Sequence, residues 1–166
     1  MKSIALCGFM GCGKTTISKS LEKLYSIPYI DTDKYIEEKE NMSIAKMFEK
    51  SGEEYFRDKE YEAIRTLCKN DDTILALGGG AVMFSRNVQA LKNNGCKIVF
   101  IDTDFDVICE RLKNDTSRPL LKHSDTRSLY EKRLPIYNDV CDIKITCKNE
   151  DSDTIAQMIM EKIKKV

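Results

Sequence analysis

The segment from Gly8 to Thr15 has the residue types and the spacing of a phosphate-binding loop. Its letters, GFMGCGKT, match the pattern GxxxxGK[ST]. In this pattern the glycines let the backbone curl around an anion, so that successive N–H groups point at phosphate oxygens. Lys14 reaches the terminal phosphates, and the Thr15 hydroxyl can bind a magnesium ion. We expect the nucleotide to contact Gly11, Cys12, Gly13, Lys14, Thr15 and Thr16.

Two aspartates, Asp31 and Asp33, follow the second apolar run of the chain. Phosphate-loop enzymes usually hold magnesium with a second acid at a strand end. Residues i and i+2 of an extended segment face the same way, so both carboxylates could line one cleft. We assign Asp31 to the metal and Asp33 to the hydroxyl that accepts the phosphate. Two alternatives stay open: Asp33 could cap a helix, and Asp102 could be the metal acid instead.

Three consecutive glycines, Gly78 to Gly80, follow the third apolar run. A strand end without side chains lets a ligand approach the backbone closely and bond to its N–H groups. The alternative is a tight turn with no ligand. The position of these glycines at a strand end favours a binding role.

Composition narrows the function classes further. The 166 residues include 27 basic and 27 acidic side chains, so no bulk charge favours nucleic acid or a membrane surface. Any preference for an anionic ligand must come from a few placed arginines. Seven cysteines without a CxxC pair indicate free thiols in a reducing cytoplasm. The apolar run at the N-terminus is too short for a signal peptide, and no apolar stretch is long enough to span a membrane.

Short apolar runs bounded by turn residues predict five strands, which alternate with amphipathic helical patterns. Such alternation predicts an α/β fold with a parallel sheet covered on both faces, in one domain spanning residues 1–166. The expected strands are Ile4–Cys7, Ile27–Ile30, Thr73–Leu77, Lys97–Ile101 and Asp142–Thr146.

Two stretches depart from this alternation. Residues 33–61 lie in a run of two or three helices, with Ser43 as an N-cap and a break at Ser51-Gly52, and we expect a substrate-binding lobe there. Residues 112–124 are polar and contain Arg118-Pro119, whose proline argues against a continuous helix. We interpret this second stretch as a lid.

The motifs together closely resemble the shikimate kinase family, in that family's order and over nearly the whole chain. The resemblance implies ATP-dependent phosphorylation of the shikimate 3-hydroxyl, a step toward chorismate and the aromatic amino acids. It also implies a three-layer α/β/α phosphate-loop fold of the nucleoside monophosphate kinase type, with strand order 2-3-1-4-5. The matching segments are GFMGCGKTT at 8–16, DTD at 31–33, FRDKE at 56–60, GGG at 78–80, RPLL at 118–121 and RLPIY at 133–137.

The resemblance also implies roles in binding the acceptor. Asp33 contacts the ring hydroxyls of shikimate, Arg57 and Arg133 bind its carboxylate, and the Gly79 backbone adds a contact. Arginine suits this task because its planar guanidinium forms paired charge-assisted hydrogen bonds with a carboxylate. Glu60, three residues after Arg57, is near enough to orient it or to pair with Arg133, unless it is only a solvated charge.

Catalysis by this scheme needs Lys14, Asp33 and Arg118. By resemblance, Arg118 closes over the ATP phosphates, and Asp33 can accept the proton of the hydroxyl. Cys12 lies near Lys14 and a helix N-terminus, which predicts a reactive thiol. His123 is interpreted as a solvated loop residue outside the site.

Two other functions remain as alternatives. One is a small-molecule kinase of the same fold, acting on gluconate or a nucleoside. The other is a non-catalytic nucleotide-binding regulator, which would lack one of the acceptor or lid residues. The chain retains all of them, and a monomer is the default expectation.

Overall fold

A computed structural model describes residues 1–114 and 123–166, together with the side chains of all these residues except His123 and Ser124. The described residues form a five-stranded sheet whose neighbouring strands are all parallel, in the order β2-β3-β1-β4-β5. This confirms the expected fold class and strand order. The strands are β1 (Ile4–Cys7), β2 (Tyr29–Asp31), β3 (Ile74–Ala76), β4 (Lys97–Thr103) and β5 (Ile143–Cys147).

Helices cover the sheet on both sides, as the expected three-layer architecture requires. One group pairs α1 with α7, and another pairs α3 with α4. A 3-10 turn at Ala81–Met83 follows the three glycines. The helices in the described residues are α1 (Lys14–Tyr25), α2 (Thr32–Glu40), α3 (Ile44–Leu67), α4 (Ser85–Asn93), α5 (Phe105–Lys113), α6 (His123–Val140) and α7 (Ser152–Ile163).

The core lies around β1, the central strand. All four residues of β1 are buried, because a central parallel strand is covered by helices on both faces and its sequence is a continuous apolar run. The edge strand β5 instead alternates buried and exposed residues. The carboxyl end of β1 leads directly into the segment that begins at Gly8.

Helix α3 contains the interruption that the sequence predicts. Its N-cap is Ser43, whose side chain accepts a hydrogen bond from the backbone N–H of Lys46. Gly52 has φ 83° and ψ 171°, a conformation that is essentially restricted to glycine, and it divides the helix. The expected N-cap and break are both present.

A second hydrophobic cluster joins α2 to α3, apart from the main core. A separate small core is the packing that a semi-independent lobe requires, although the assignment of residues 33–61 to substrate binding stays a prediction. The cluster consists of Ile36, Met47, Phe56 and Ala63.

The predicted lid, 112–124, lies mainly outside the described residues, since α5 ends at Lys113 and α6 begins at His123.

Within the described residues, no helix has both the length and the apolar character needed to cross a membrane. All seven cysteines lie in the described ranges, and none of them is in a disulfide bond.

Candidate functional site

The loop between β1 and α1 requires glycine at two positions for different reasons. A Cβ atom added to Gly8, whose φ is 148°, would lie 2.8 Å from the Ile101 carbonyl oxygen and 2.8 Å from the Cys12 Sγ. Gly13 precedes α1 with φ 97°, in the left-handed region that side chains disfavour. The loop thus adopts a tight curl whose backbone leads into the N-terminus of α1, where a helix dipole favours anions.

Lys14 holds its ammonium group above this loop. Its Nζ donates hydrogen bonds to the carbonyl oxygens of Gly8 at 2.7 Å and Phe9 at 3.2 Å. The Cys12 Sγ lies 3.6 Å from the same nitrogen, and Cys12 is only 2% exposed. That burial restricts reagent access, so the reactivity expected for Cys12 stays a prediction.

Thr15 and Asp31, the two predicted metal ligands, are brought together. The Thr15 hydroxyl donates to Asp31 Oδ2 at 2.9 Å. The other oxygen of Asp31 accepts from the backbone N–H groups of Asp33 and Lys34 at 3.1 and 3.2 Å, which caps α2. The helix-capping role considered for Asp33 therefore belongs to Asp31, whose second oxygen still faces the loop.

One expectation about these aspartates is wrong. Because β2 ends at Asp31 and α2 begins at Thr32, Asp31 and Asp33 do not project from a single extended segment. Asp33 lies in the first turn of the helix and points to Gly78. The rival acid, Asp102, forms an ion pair with Lys144 at 3.1 Å, which favours Asp31 as the metal acid.

The donor set fits a magnesium ion. Mg²⁺ prefers oxygen ligands at 2.0–2.1 Å in an octahedron, so adjacent ligands lie about 2.9 Å apart. The hydroxyl of Thr15 and the carboxylate of Asp31 have this chemistry and this separation. The described residues contain no group of three or more His, Cys, Asp or Glu side chains suited to a metal. An ion here would therefore take its remaining ligands from water and phosphate.

The three glycines lie where the acceptor side chains converge. A Cβ atom on Gly80 would lie 2.8 Å from one terminal nitrogen of Arg57 and 3.1 Å from one of Arg133. A Cβ atom on Gly78 would lie 2.7 Å from Asp33 Oδ1. The glycines therefore leave the space that the guanidinium groups and the carboxylate occupy, which favours the close-approach interpretation over that of a simple turn.

Gly79 joins the two halves of the site. A Cβ atom there would lie 3.4 Å from Arg133 Nη1 and 3.5 Å from the backbone nitrogen of Met10 in the phosphate loop. All the predicted acceptor residues, Asp33, Arg57, Gly79 and Arg133, thus lie beside the loop at the carboxyl ends of β1 and β3. The position of Arg118, predicted for the lid, lies outside the described residues.

Arg57 is held rigidly by its neighbours. Its Nη1 donates to Glu60 Oε1 at 2.9 Å, and its side chain is 13% exposed. The guanidinium carbon lies 5.2 and 4.9 Å from the ring centroids of Phe56 and Phe84, within cation–π range. A planar cation fixed in this way presents a defined edge to a carboxylate.

Glu60 is buried and is not a solvated charge. It lies at the centre of a charge network formed with Arg57, Asp33 and Arg133. It is 0% exposed, and within the described residues its Oε2 has no hydrogen-bond partner. Burial raises the pKa of the Glu60 carboxyl, while the charge and hydrogen bond of Arg57 oppose this rise. Asp33 raises the same pKa further and Arg133 lowers it, so both lie close enough to interact. The i, i+3 spacing from Arg57 was the signal in the sequence.

A cavity of about 450 Å³ lies beside the phosphate loop. The residues that line it opposite the loop were not predicted from the sequence. Arg111 on α5 donates to the Gly11 carbonyl oxygen at 3.1 Å and lines this cavity. The helical spacing of Phe105, Ile108 and Leu112 indicates that α5 packs inward, but it does not reveal what Arg111 faces. Besides the loop, the lining residues are Arg111, Leu112, Glu150, Asp151, Ser152 and Ile155.

Comparisons with known proteins point to one family. A family model described as "Shikimate kinase" matches residues 10–164. A shikimate kinase of Sulfurihydrogenibium sp. is 37% identical over 99% of both chains, and one of Clostridium botulinum is 41% identical over 98% of this chain and 95% of its own. The solved shikimate kinase of Acinetobacter baumannii, in complex with shikimate, has a TM-score of 0.91 and 32% identity, covering 99% of this chain and 94% of its own.

Proposed function

The chain belongs to the shikimate kinase family, and we propose that it transfers the γ-phosphoryl group of ATP to the 3-hydroxyl of shikimate. The observation that carries this proposal is the convergence of Asp33, Arg57 and Arg133 on the glycines beside the phosphate loop. Two guanidinium groups match a carboxylate, and the neighbouring aspartate matches hydroxyl groups. The product would serve the pathway to chorismate and the aromatic amino acids.

The nucleotide would lie across the phosphate loop and the adjoining cavity. The N–H groups from Gly11 to Thr16 and the ammonium of Lys14 would hold the phosphates, at the positive end of α1. Lys14 already lies over the loop, bonded to carbonyl oxygens that phosphate oxygens would replace as its partners. The cavity lined by Arg111 and Ile155 is large enough for the nucleoside.

The acceptor would be held by groups that recognise its acid and its hydroxyls separately. Arg57 and Arg133 would bind the carboxylate, with Glu60 fixing the orientation of Arg57. Asp33 and the backbone of Gly79 would bind the ring hydroxyls. A chain without net charge can select an anion in this way because Arg57 and Arg133 lie together at the binding site.

Thr15 and Asp31 would hold the magnesium ion. When bound there, Mg²⁺ supplies charge neutralisation at the β- and γ-phosphate oxygens. The cap that Asp31 forms on α2 fixes its carboxylate before any ion binds.

The residues of the chain would act mainly by positioning and by neutralising charge. Phosphoryl transfer needs little covalent chemistry from a protein, so alignment of the two substrates dominates the rate. Asp33 would accept the proton of the attacking hydroxyl, and Lys14 would stabilise the charge that develops on the phosphate oxygens. Arg118 would complete this stabilisation from the lid at 112–124.

We also propose that the enzyme works as a monomer in the cytoplasm. A single chain supplies both the nucleotide and the acceptor residues, so catalysis needs no second subunit. The seven unpaired cysteines are typical of a reducing compartment. The balanced charge gives no support for a nucleic acid or a membrane as partner.

A coupled ADP-release assay tests the proposal with shikimate, gluconate and nucleosides as acceptors. We expect turnover with shikimate and only background release with the others. The variant Arg133→Lys should raise the KM for shikimate by roughly 10- to 100-fold, since a lysine cannot form the paired hydrogen bonds. Turnover with gluconate or a nucleoside but not with shikimate would overturn the proposal.

A further inference from the structure

The hydroxyl of Tyr137 on α6 is aimed at the glycine segment from the protein interior. Tyr137 is 1% exposed, and its hydroxyl donates to the Gly79 carbonyl oxygen at 2.5 Å. Its ring stacks on Phe100, with centroids 5.1 Å apart and an angle of 22° between the planes. The ring packing and the hydroxyl contact are separate features, so a substitution can remove one and keep the other.

Arg133 precedes Tyr137 by one helical turn, on the same face of α6. Burial raises the pKa of the Tyr137 hydroxyl, and the positive charge of Arg133 opposes that rise. The hydroxyl therefore stays protonated and remains a donor to Gly79. The Tyr137 hydroxyl thus bonds to the backbone of Gly79, and Arg133 Nη1 lies against the same glycine, 3.4 Å from a Cβ atom placed there.

The glycine segment needs such a contact because its backbone has little intrinsic preference for one conformation. On one side of Gly79, the Gly78 N–H donates to the Thr32 hydroxyl at 3.2 Å. On the other side, Asn87 Nδ2 donates to the Ala81 carbonyl oxygen at 2.8 Å. Tyr137 fixes the carbonyl between these two anchors. The peptide between Gly79 and Gly80 is trans, so a fixed carbonyl also fixes the direction of the Gly80 N–H.

We propose that Tyr137 is a positioning residue for the acceptor: its hydroxyl holds the Gly79 peptide beside the Arg133 guanidinium in the arrangement that binds the acid. The inference rests on the proposed function, because the acid is the ligand that Arg133 recognises. Tyr137 touches neither substrate in this scheme. Its loss should therefore weaken acceptor binding and leave nucleotide binding intact.

The test compares Tyr137→Phe with Tyr130→Phe, an equivalent loss of a hydroxyl from the same helix. Tyr130 packs its ring against Phe9 and Phe105, and among the described residues its hydroxyl makes only a long contact of 3.5 Å with the Thr103 carbonyl oxygen. Both variants keep their rings, so both should fold. Steady-state kinetics give the KM for shikimate and for ATP, and calorimetry gives the Kd for shikimate alone.

We expect Tyr137→Phe to raise the KM and Kd for shikimate by roughly tenfold, because a buried carbonyl loses its donor. The KM for ATP should stay unchanged, and Tyr130→Phe should match the wild type for both substrates. A Tyr137→Phe enzyme with wild-type shikimate affinity, or with both KM values raised alike, would overturn the inference while the proposed function stands. A wild-type enzyme inactive on shikimate would overturn the proposed function, and this inference with it.

Discussion

The nucleotide half and the acceptor half of the site are built in different ways. The phosphate loop, Gly8 to Thr15, is one contiguous segment between β1 and α1, and the groups proposed to bind the nucleotide are its backbone N–H groups, one lysine and one hydroxyl. The acceptor half consists of side chains from α2, α3 and α6 that meet over Gly78–Gly80. A local backbone site depends on one short sequence, whereas a dispersed side-chain site depends on the packing of the whole fold. Substitutions should therefore affect the two halves separately.

The largest expected effect separates chemistry from nucleotide binding. Asp33→Asn removes the group proposed to accept the hydroxyl proton, and kcat should fall by roughly 10²- to 10⁴-fold. ATP binding should be unaffected, because Asp33 faces Gly78 and not the loop. The coupled assay measures kcat, and stopped-flow fluorescence with a labelled nucleotide measures ATP binding.

The matched control is Asp102→Asn at the rival acid, which is paired with Lys144 on the sheet. This variant should keep an activity close to that of the wild type. A large loss of activity in Asp102→Asn would return Asp102 as the candidate metal acid in place of Asp31, and a fully active Asp33→Asn enzyme would contradict the role proposed for Asp33.

A smaller effect tests whether the glycines belong to the acceptor half. The substitution is Gly80→Ala. Gly80 has φ −97°, so alanine is compatible with its backbone, but the added methyl would lie 2.8 Å from an Arg57 nitrogen. Displacement of Arg57 and Arg133 should raise the Kd for shikimate by roughly tenfold or more. Calorimetry with shikimate and with a non-hydrolysable ATP analogue checks this. Equal losses for both ligands would mean that the two halves are not separable.

The smallest effect is on stability and comes from Glu60. Burial raises the pKa of this carboxyl above its ordinary value of 4.5, so the folded protein binds the proton more tightly than the unfolded chain does. The free energy of unfolding therefore falls as the pH rises from 4.5 through the folded-state pKa. Glu60→Gln cannot titrate, and its Tm relative to the wild type should become more positive across this range. Thermal unfolding at a series of pH values measures the difference, and a difference that is constant or declines with pH would contradict the charge network described.

The nucleotide half and the acceptor half also differ in how well the sequence predicted them. The position and curl of the loop between β1 and α1 could be predicted, because its pattern is contiguous and the conformation is dictated by its glycines. The binding roles of Lys14 and Thr15 stay predictions. The strand order and the α/β class were also predicted, and they are confirmed. The helix break at Gly52 could be placed because glycine disfavours a helix interior.

The acceptor half could be predicted only through the family resemblance. The geometric argument for Asp31 and Asp33 assumed an extended segment, but the strand ends one residue later than expected and a helix follows at once. Neither the contact of Arg111 with the phosphate loop nor the hydrogen bond from Tyr137 to Gly79 could be predicted. The first joins residues 100 positions apart in the sequence, and the second joins residues 58 positions apart. Contacts of this kind arise from packing and have no local signal.

The most direct test of the account is ³¹P NMR of a reaction containing the wild-type enzyme, ATP, magnesium and shikimate. The account predicts that ADP and one phosphate monoester, on the 3-oxygen of shikimate, form in equal amounts. That result requires the loop and the acceptor residues to act as one site. Release of ADP with inorganic phosphate alone, or no turnover with shikimate, would contradict the account.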